Sequence, residues 1–299
     1  MARRALADLE ERLPAPRPTA RMFRLPVRHR RQEATSAGRQ TNVAAAVLAL
    51  SVLADSSVEH YRGSFRNPAM VAPLGAAALT LAASLLGAAD DRPQRHTGRD
   101  AVYALAALVG VVGLGFHAYN IGKRPGRLSW HNLFYGAPVG APAALALAGV
   151  LGRVAEKVRE GERVFGLSAD RVLAAVSAIG LAGTVGEAGL LHFRGAFQNP
   201  AMVLPVAAPP VAAGLLGAMA LSPSKPLGRI ARLLLRLTAG LGVAGVGFHA
   251  FGVHRAMGGW RNWRQNLING PPLPAPPSFS GLALAGLAAL ALMRGRDDD

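Results

Sequence analysis

The chain contains no cysteine, and aromatic residues make up only 6% of it. Without cysteine there is no disulfide framework, no thiolate zinc or iron–sulfur site, no cysteine nucleophile and no covalently attached c-type haem. Acidic residues are scarce too, 17 against 33 Lys and Arg, and charged residues together make up 17% of the 299. A soluble chain of this length surrounds one or two domains with a charged surface. A mean hydropathy of +0.25 with so few charges fits that poorly. A phosphate-binding loop, a nucleophile elbow and an HExxH helix are also missing. GLGVAG at 240–245 spells the dinucleotide fingerprint, but it lies inside an apolar run with no strand before it and reads as glycine for helix packing.

What the chain does have is apolar blocks rich in Ala, Leu, Gly and Val, each long enough to cross the hydrocarbon core as a helix. They fall at 42–62, 68–88, 101–120, 137–153, 171–193, 200–221, 230–251 and 278–294, the fourth and eighth being the shortest. Break signals separate them: Asn67-Pro68 and Asn199-Pro200 put a capping residue before a proline at the first helical position. Pro138, Pro142 and the prolines clustered in 271–277 act similarly before the fourth and eighth blocks. The expected fold class is all-α, a polytopic membrane protein with eight transmembrane helices.

Alternate loops differ sharply in basic residues. Residues 1–41, 89–100, 153–171 and 222–236 with the carboxyl end hold 24 of the Lys and Arg, and the four intervening loops hold 9. The positive-inside rule then puts both termini in the cytoplasm, as expected of a bacterial inner-membrane protein. It also absorbs the net charge of +16, which in a soluble protein would point to nucleic acid. Residues 1–41, with ten Arg and no continuous apolar stretch, read as a basic cytoplasmic tail against anionic lipid and not as a secretory signal; 295–299 read as an acidic tail.

The most informative feature is self-similarity at an offset of 132. HYRGSFRNPAMVAPL at 60–74 matches HFRGAFQNPAMVLPV at 192–206 with ten identities in fifteen, and GLGFHAY at 113–119 matches GVGFHAF at 245–251. NLFYGAP at 132–138 matches NLINGPP at 266–272 at an offset of 134, a two-residue slip within a loop. The chain therefore reads as a duplicated four-helix unit: one repeat at 42–153, a charged cytoplasmic linker at 154–169, and a second repeat at 170–294. An even number of spans per unit makes these parallel repeats about an axis along the membrane normal.

The duplication preserves a polar set. His60 and His192 end the first helix of each unit, His117 and His249 the third, all on the side opposite the termini. Asp55 and Glu187 correspond as well, and with Glu59 they are the acids outside cytoplasmic segments. Ionisable groups at membrane depth are costly and by default suggest a functional site. Arg62 with Arg194 and Met70 with Met202 complete the set. Three readings of it stand open. In one, His60 with His117 and His192 with His249 are axial ligands of a b-type haem in each unit, with Gly110, Gly113, Gly115, Gly242, Gly245 and Gly247 allowing a flat ring or a backbone to approach. In another, Asp55, His60 and His117, and likewise Glu187, His192 and His249, hold a non-haem metal ion such as iron, manganese or zinc. In the third the groups are structural: Asp55, Glu59 and Arg62 neutralise one another along one helix face, and the histidines tie loop carbonyls. Trp130, Trp260 and Trp263 read as interfacial anchors, and His131, His254, His29 and His96 carry no assignment.

The functional expectation is a membrane subunit of an oxidoreductase complex that passes electrons between a quinone and a partner on the outer side. Its ligands would be the four histidines, with Asp55 and Glu187 as proton acceptors or as groups that orient them. The alternatives are a transporter or permease-like protein, in which the acids and histidines relay protons and Pro209-Pro210 bends a helix, and a membrane anchor without chemistry.

Overall fold

The computed structural model describes residues 27–136, 138–161, 163–164 and 166–297. Residues 1–26 of the expected basic tail and residues 298–299 of the expected acidic tail lie outside the described residues.

Among the described residues the architecture is all-helical, with one isolated antiparallel bridge between Val164 and Leu167. The helices are α1 (Val27–Arg62), α2 (Ala72–Ala89), α3 (Thr97–Gly122), α4 (Trp130–Tyr135), α5 (Gly140–Glu160), α6 (Ala169–Arg194), α7 (Leu204–Leu221), α8 (Lys225–Arg255), α9 (Trp263–Asn269) and α10 (Pro277–Asp297). Short 3-10 turns, Pro68–Val71 and Pro200–Val203, lead into α2 and α7. The break signals act as their chemistry requires: Asn67 Oδ1 accepts from Ala69 N–H and Asn199 Oδ1 from Ala201 N–H, both at 2.9 Å. Elements therefore recur in one order, α1 to α5 and then α6 to α10.

Seven helices are long and apolar enough to cross a membrane, α1, α3, α6, α8 and α10 alone and α2 and α7 together with their 3-10 turns. The fourth expected span, 137–153, differs. It forms as α5, but the helix runs on through Arg153, Glu156, Lys157, Arg159 and Glu160 and is amphipathic, so its last two turns belong to a polar cluster. The boundary expected at residue 42 is also corrected, because α1 already begins at Val27. Thr35, Ala37, Thr41 and Asn42 are buried, and Gly38 lies against the Arg159 side chain and the Ala155 carbonyl, so packing continues the helix where charge suggested a tail.

Packing runs in a ring within each half. α1 lies on α2 and α5, and α3 closes on α2 and α5; likewise α6 lies on α7 and α10, and α8 closes on both. The rings meet where α10 packs on α1 and α5 on α6, and the largest apolar core forms along that seam from Ala44, Leu48, Leu151, Leu181, Leu216, Leu282 and Leu290. Glycine makes the close approaches possible. A Cβ on Gly110 would stand 2.7 Å from Pro142 O and one on Gly242 2.8 Å from Pro276 O, so each admits the backbone of the last helix of its half. Large apolar side chains face outward on the peripheral helices, among them Leu86, Leu108, Val111 and Val243, each at least 60% exposed.

Candidate functional site

Both α1 and α6 end in the same unusual turn. Phe65 N–H donates to His60 O and Ser64 N–H to Tyr61 O, and Phe197 and Ala196 repeat the pattern on His192 and Phe193, the paired bonds of a Schellman cap. That cap needs a left-handed residue, usually glycine. Here Ser64 (φ 57°) and Ala196 (φ 55°) fill the place, followed by Phe65 and Phe197, both at φ 45°. Two consecutive strained residues at equivalent places in both halves are held by their surroundings. Phe65 meets the His60 ring edge-on with centroids 6.2 Å apart, and Phe197 does the same to His192 at 6.1 Å.

Each of the four histidines donates from Nδ1 to a backbone carbonyl. His60 reaches Met70 O at 2.6 Å, His192 Met202 O at 2.8 Å and His249 Pro272 O at 2.7 Å; His117 makes the matching bond to Pro138 O. A carbonyl only accepts, so the proton sits on Nδ1 and each neutral ring keeps its lone pair on Nε2. The rings are paired within halves: His117 lies within electrostatic reach of His60, and His249 of His192. In each half, then, two imidazoles with fixed tautomers stand near the mouth of one ring of helices.

The carboxylates are arranged otherwise than one per half. Asp55 lies within electrostatic reach of both Glu59 and Glu187, so the repeat-related acids approach each other across the seam. Glu187 of the second half accepts from Gly140 N–H at the first residue of α5 in the first half. Its carboxylate occupies the space where a side chain on residue 140 would begin, which leaves only glycine there, and an anion at a helix start is favourable. Among the described residues no three His, Asp or Glu side chains converge closely enough to hold a metal ion. Within each half the two imidazoles lie within electrostatic reach of each other, and Asp55 and Glu187 form no metal-binding group with them among the described residues.

The other expected residues are placed as follows. Arg62 pairs with Glu59 at 3.1 Å on an exposed surface, and Asp55 is not part of that pair. Arg194 donates to Phe134 O at 2.9 Å and lies over the Tyr135 ring. Its counterpart contact is Arg264 of α9, which bonds the Tyr61 hydroxyl and covers its ring. Each short helix is therefore held by the opposite half, α4 by α6 and α9 by α1. Met70 and Met202 contribute their carbonyls to the histidines, while their methyl groups lie over Gly63 and Gly195. Gly113 and Gly245 face Pro142 and Pro276, and Gly115 and Gly247 have open space around them.

Sequence reasoning missed a cluster at the opposite end. Arg99 donates to Glu156 through Nε (2.9 Å) and Nη2 (3.0 Å) and to Asp90 through Nη1 (2.8 Å), and His96 N–H donates to Glu156 at 2.8 Å. Arg159 donates to the carbonyls of Gly87, Asp90 and Arg92 at the end of α2, and Tyr103 Oη donates to Asn42 at 2.6 Å. Glu156 and the Arg159 side chain are completely buried. Hydrogen bonds from Arg92 and then Arg99 hold the Asp90 carboxyl well below the usual range, against a desolvation that acts the other way. The repeat itself carries the signal that would have found this network. At the equivalent offsets Asn42, Arg99, Tyr103, Glu156 and Arg159 become Ala174, Ala231, Leu235, Leu290 and Met293, all buried.

No family model, no curated protein and no solved structure matches the chain.

Proposed function

We propose that this is a multi-pass membrane protein, eight helices crossing as two parallel repeats with both termini cytoplasmic, that holds a b-type haem between His60 and His117 and a second between His192 and His249. The carrying observation is that all four imidazoles give Nδ1–H to a backbone carbonyl, which is how ligating histidines are oriented and which reserves Nε2 for a metal. Tying loops does not require this residue type. Elsewhere the repeat ties its loops with asparagine, as Asn132 does on the carbonyls of Pro125 and Arg127 and Asn266 on those of Met257 and Gly259. A group needing two axial nitrogens suits paired rings better than a bare ion needing three ligands. The resulting role is that of an oxidoreductase subunit moving electrons between a quinone and a partner on the outer side. Lipid-facing Leu, Val and Ile on α2, α3, α6 and α8 support the membrane part of the reading.

An absorption spectrum and elemental analysis of detergent-purified protein test it. A Soret band with about two haems per chain, reduced to about one by His60→Ala and abolished by adding His192→Ala, is the expected result. Protein from haem-sufficient cells with neither a Soret band nor stoichiometric transition metal ends the reading. A second reading, proton-coupled transport, draws on the approach of Asp55 to Glu187 across the seam. Proteoliposomes that acidify or alkalinise with a substrate gradient, and cease to do so with Asp55→Asn, would favour it.

A further inference from the structure

The two halves differ in charge balance at the arginine-rich end of the molecule. In the first half Asp100 bonds Arg153 at 3.0 Å and approaches Arg95 at 3.9 Å, while Glu160 accepts from Arg95 N–H. Its arginines are thus answered by its own acids. At the equivalent offsets the second half has Arg232 in place of Asp100 and Arg294 in place of Glu160. Thr97 and Ala104 are likewise replaced by Arg229 and Arg236, and Arg95 and Arg153 by Leu227 and Leu287.

The outcome is a stripe on α8, Arg229, Arg232 and Arg236, at spacings of three and four on one helix face, joined by Arg294 from α10. Arg232 lies within electrostatic reach of Arg236 and Arg294. None of these arginines has an ion-pair partner among the described residues; Glu33 of α1 lies beside Gly295 without pairing to them. Lys225 stands in the first turn of α8, whose first turn holds no acid, so the helix dipole adds to the positive field. Apolar side chains alternate with the arginines: Ile230, Leu233 and Leu237 are each more than half exposed. The length of α8 also fits. Its 31 residues span about 46 Å against a hydrocarbon core of about 30 Å, so about 16 Å of the helix extends into the headgroup regions.

We propose that Arg229, Arg232 and Arg236 of α8 with Arg294 of α10 form a binding site for the phosphate headgroup of an anionic phospholipid, whose acyl chains run along Ile230, Leu233 and Leu237. Arg232 within reach of Arg236 and Arg294, with Arg229 one turn away on the same helix face and none of them ion-paired among the described residues, suits a phosphodiester, and the adjoining apolar strip selects a lipid over a free phosphate ion. The first half, with the same helices and internal acids, has no such site. The proposal rests on the membrane reading and is independent of the imidazole pairs.

The test uses the full chain in phosphatidylcholine nanodiscs, with retention of added phosphatidylglycerol read by native mass spectrometry. Insertion into the neutral discs establishes the membrane reading separately. Phosphatidylglycerol is expected to be retained over phosphatidylcholine, and the retention to survive a challenge with inorganic phosphate. Arg232→Asp with Arg294→Glu, which installs the first half's own residues, is expected to weaken retention by at least about 30-fold, each basic residue near the headgroups being worth about five-fold. Arg232→Gln with Arg294→Gln tests the same loss where the reversal unfolds, and Arg261→Gln at the opposite end should change nothing. Equal retention by the variants overturns the proposal, as does displacement of the lipid by phosphate alone.

Discussion

Replacing Glu156 by leucine, the residue at its counterpart Leu290, isolates what the buried ionic network contributes. The change removes the acceptor of two Arg99 bonds and of His96 N–H, and takes away the carboxylate nearest to the fully buried Arg159. Breaking one partner out of a buried pair costs about 3–5 kcal/mol, because the other charge stays buried without compensation. Arg159→Met has a similar cost by a different route, since it strips the donors from Gly87 O, Asp90 O and Arg92 O. If the two effects were independent, the pair would lose about 6–10 kcal/mol. The second half indicates otherwise, for it packs the same positions with Ala174, Ala231, Leu235, Leu290 and Met293 and buries them all. Carrying that whole set across, as Asn42→Ala, Arg99→Ala, Tyr103→Leu, Glu156→Leu and Arg159→Met, should leave stability within about 2 kcal/mol of wild type or raise it. Reversible unfolding in mixed micelles, followed by the loss of helical circular dichroism, measures all three variants. A five-fold variant that loses as much as the two single changes combined would refute the reasoning.

Three further outcomes are expected. Ser64→Gly and Ala196→Gly each relieve a left-handed cap residue and should stabilise the protein by about 0.5–1 kcal/mol; a decrease in the same unfolding assay would show that the strain lies elsewhere. Gly140→Ala should cost about 1–3 kcal/mol, because the new methyl displaces the Glu187 carboxylate from the start of α5, and Glu187→Gln, which keeps the shape, should cost less; equal losses would remove the charge-to-helix argument. Asp90 is held below its ordinary value by Arg92 and Arg99, so its contribution is complete above the unfolded carboxyl value of about 3.9 and disappears as the pH falls from there towards the folded value. Acid titration of stability should therefore flatten below about pH 4 in Asp90→Asn, and an unchanged slope would contradict the assignment.

Much of this was legible in the sequence, for reasons that particular residues make clear. Asn67 and Asn199 read as caps before proline because capping is local chemistry, and they cap. The offset of 132 brought His60 to His192 and His117 to His249, and the same carbonyl partners receive them in both halves. What escaped was set by contacts between distant helices. That Glu187 reaches Gly140 depends on how far α6 slides along α5, and no periodicity encodes that register. Arg99, Glu156 and Arg159 read as charges of loops in the sequence but are interior, paired with one another and, for Arg159, packed against Gly38 of α1. The short helices α4 and α9 were invisible as helices: six and seven residues with tryptophan at the start carry too little pattern.

The exchange of short helices makes one end of each half depend on the other half. Tyr61 and Phe193 occupy equivalent positions at the offset of 132, and each is gripped by a segment from the other half, through Arg264 in one case and Phe134 in the other. Neither half closes this end by itself, since each short helix is held by a residue of the other half. The coupling is confined to the imidazole ends, which are alike, while the far ends are free to differ, one closed by ion pairs and the other lined by arginines that have no ion-pair partner among the described residues.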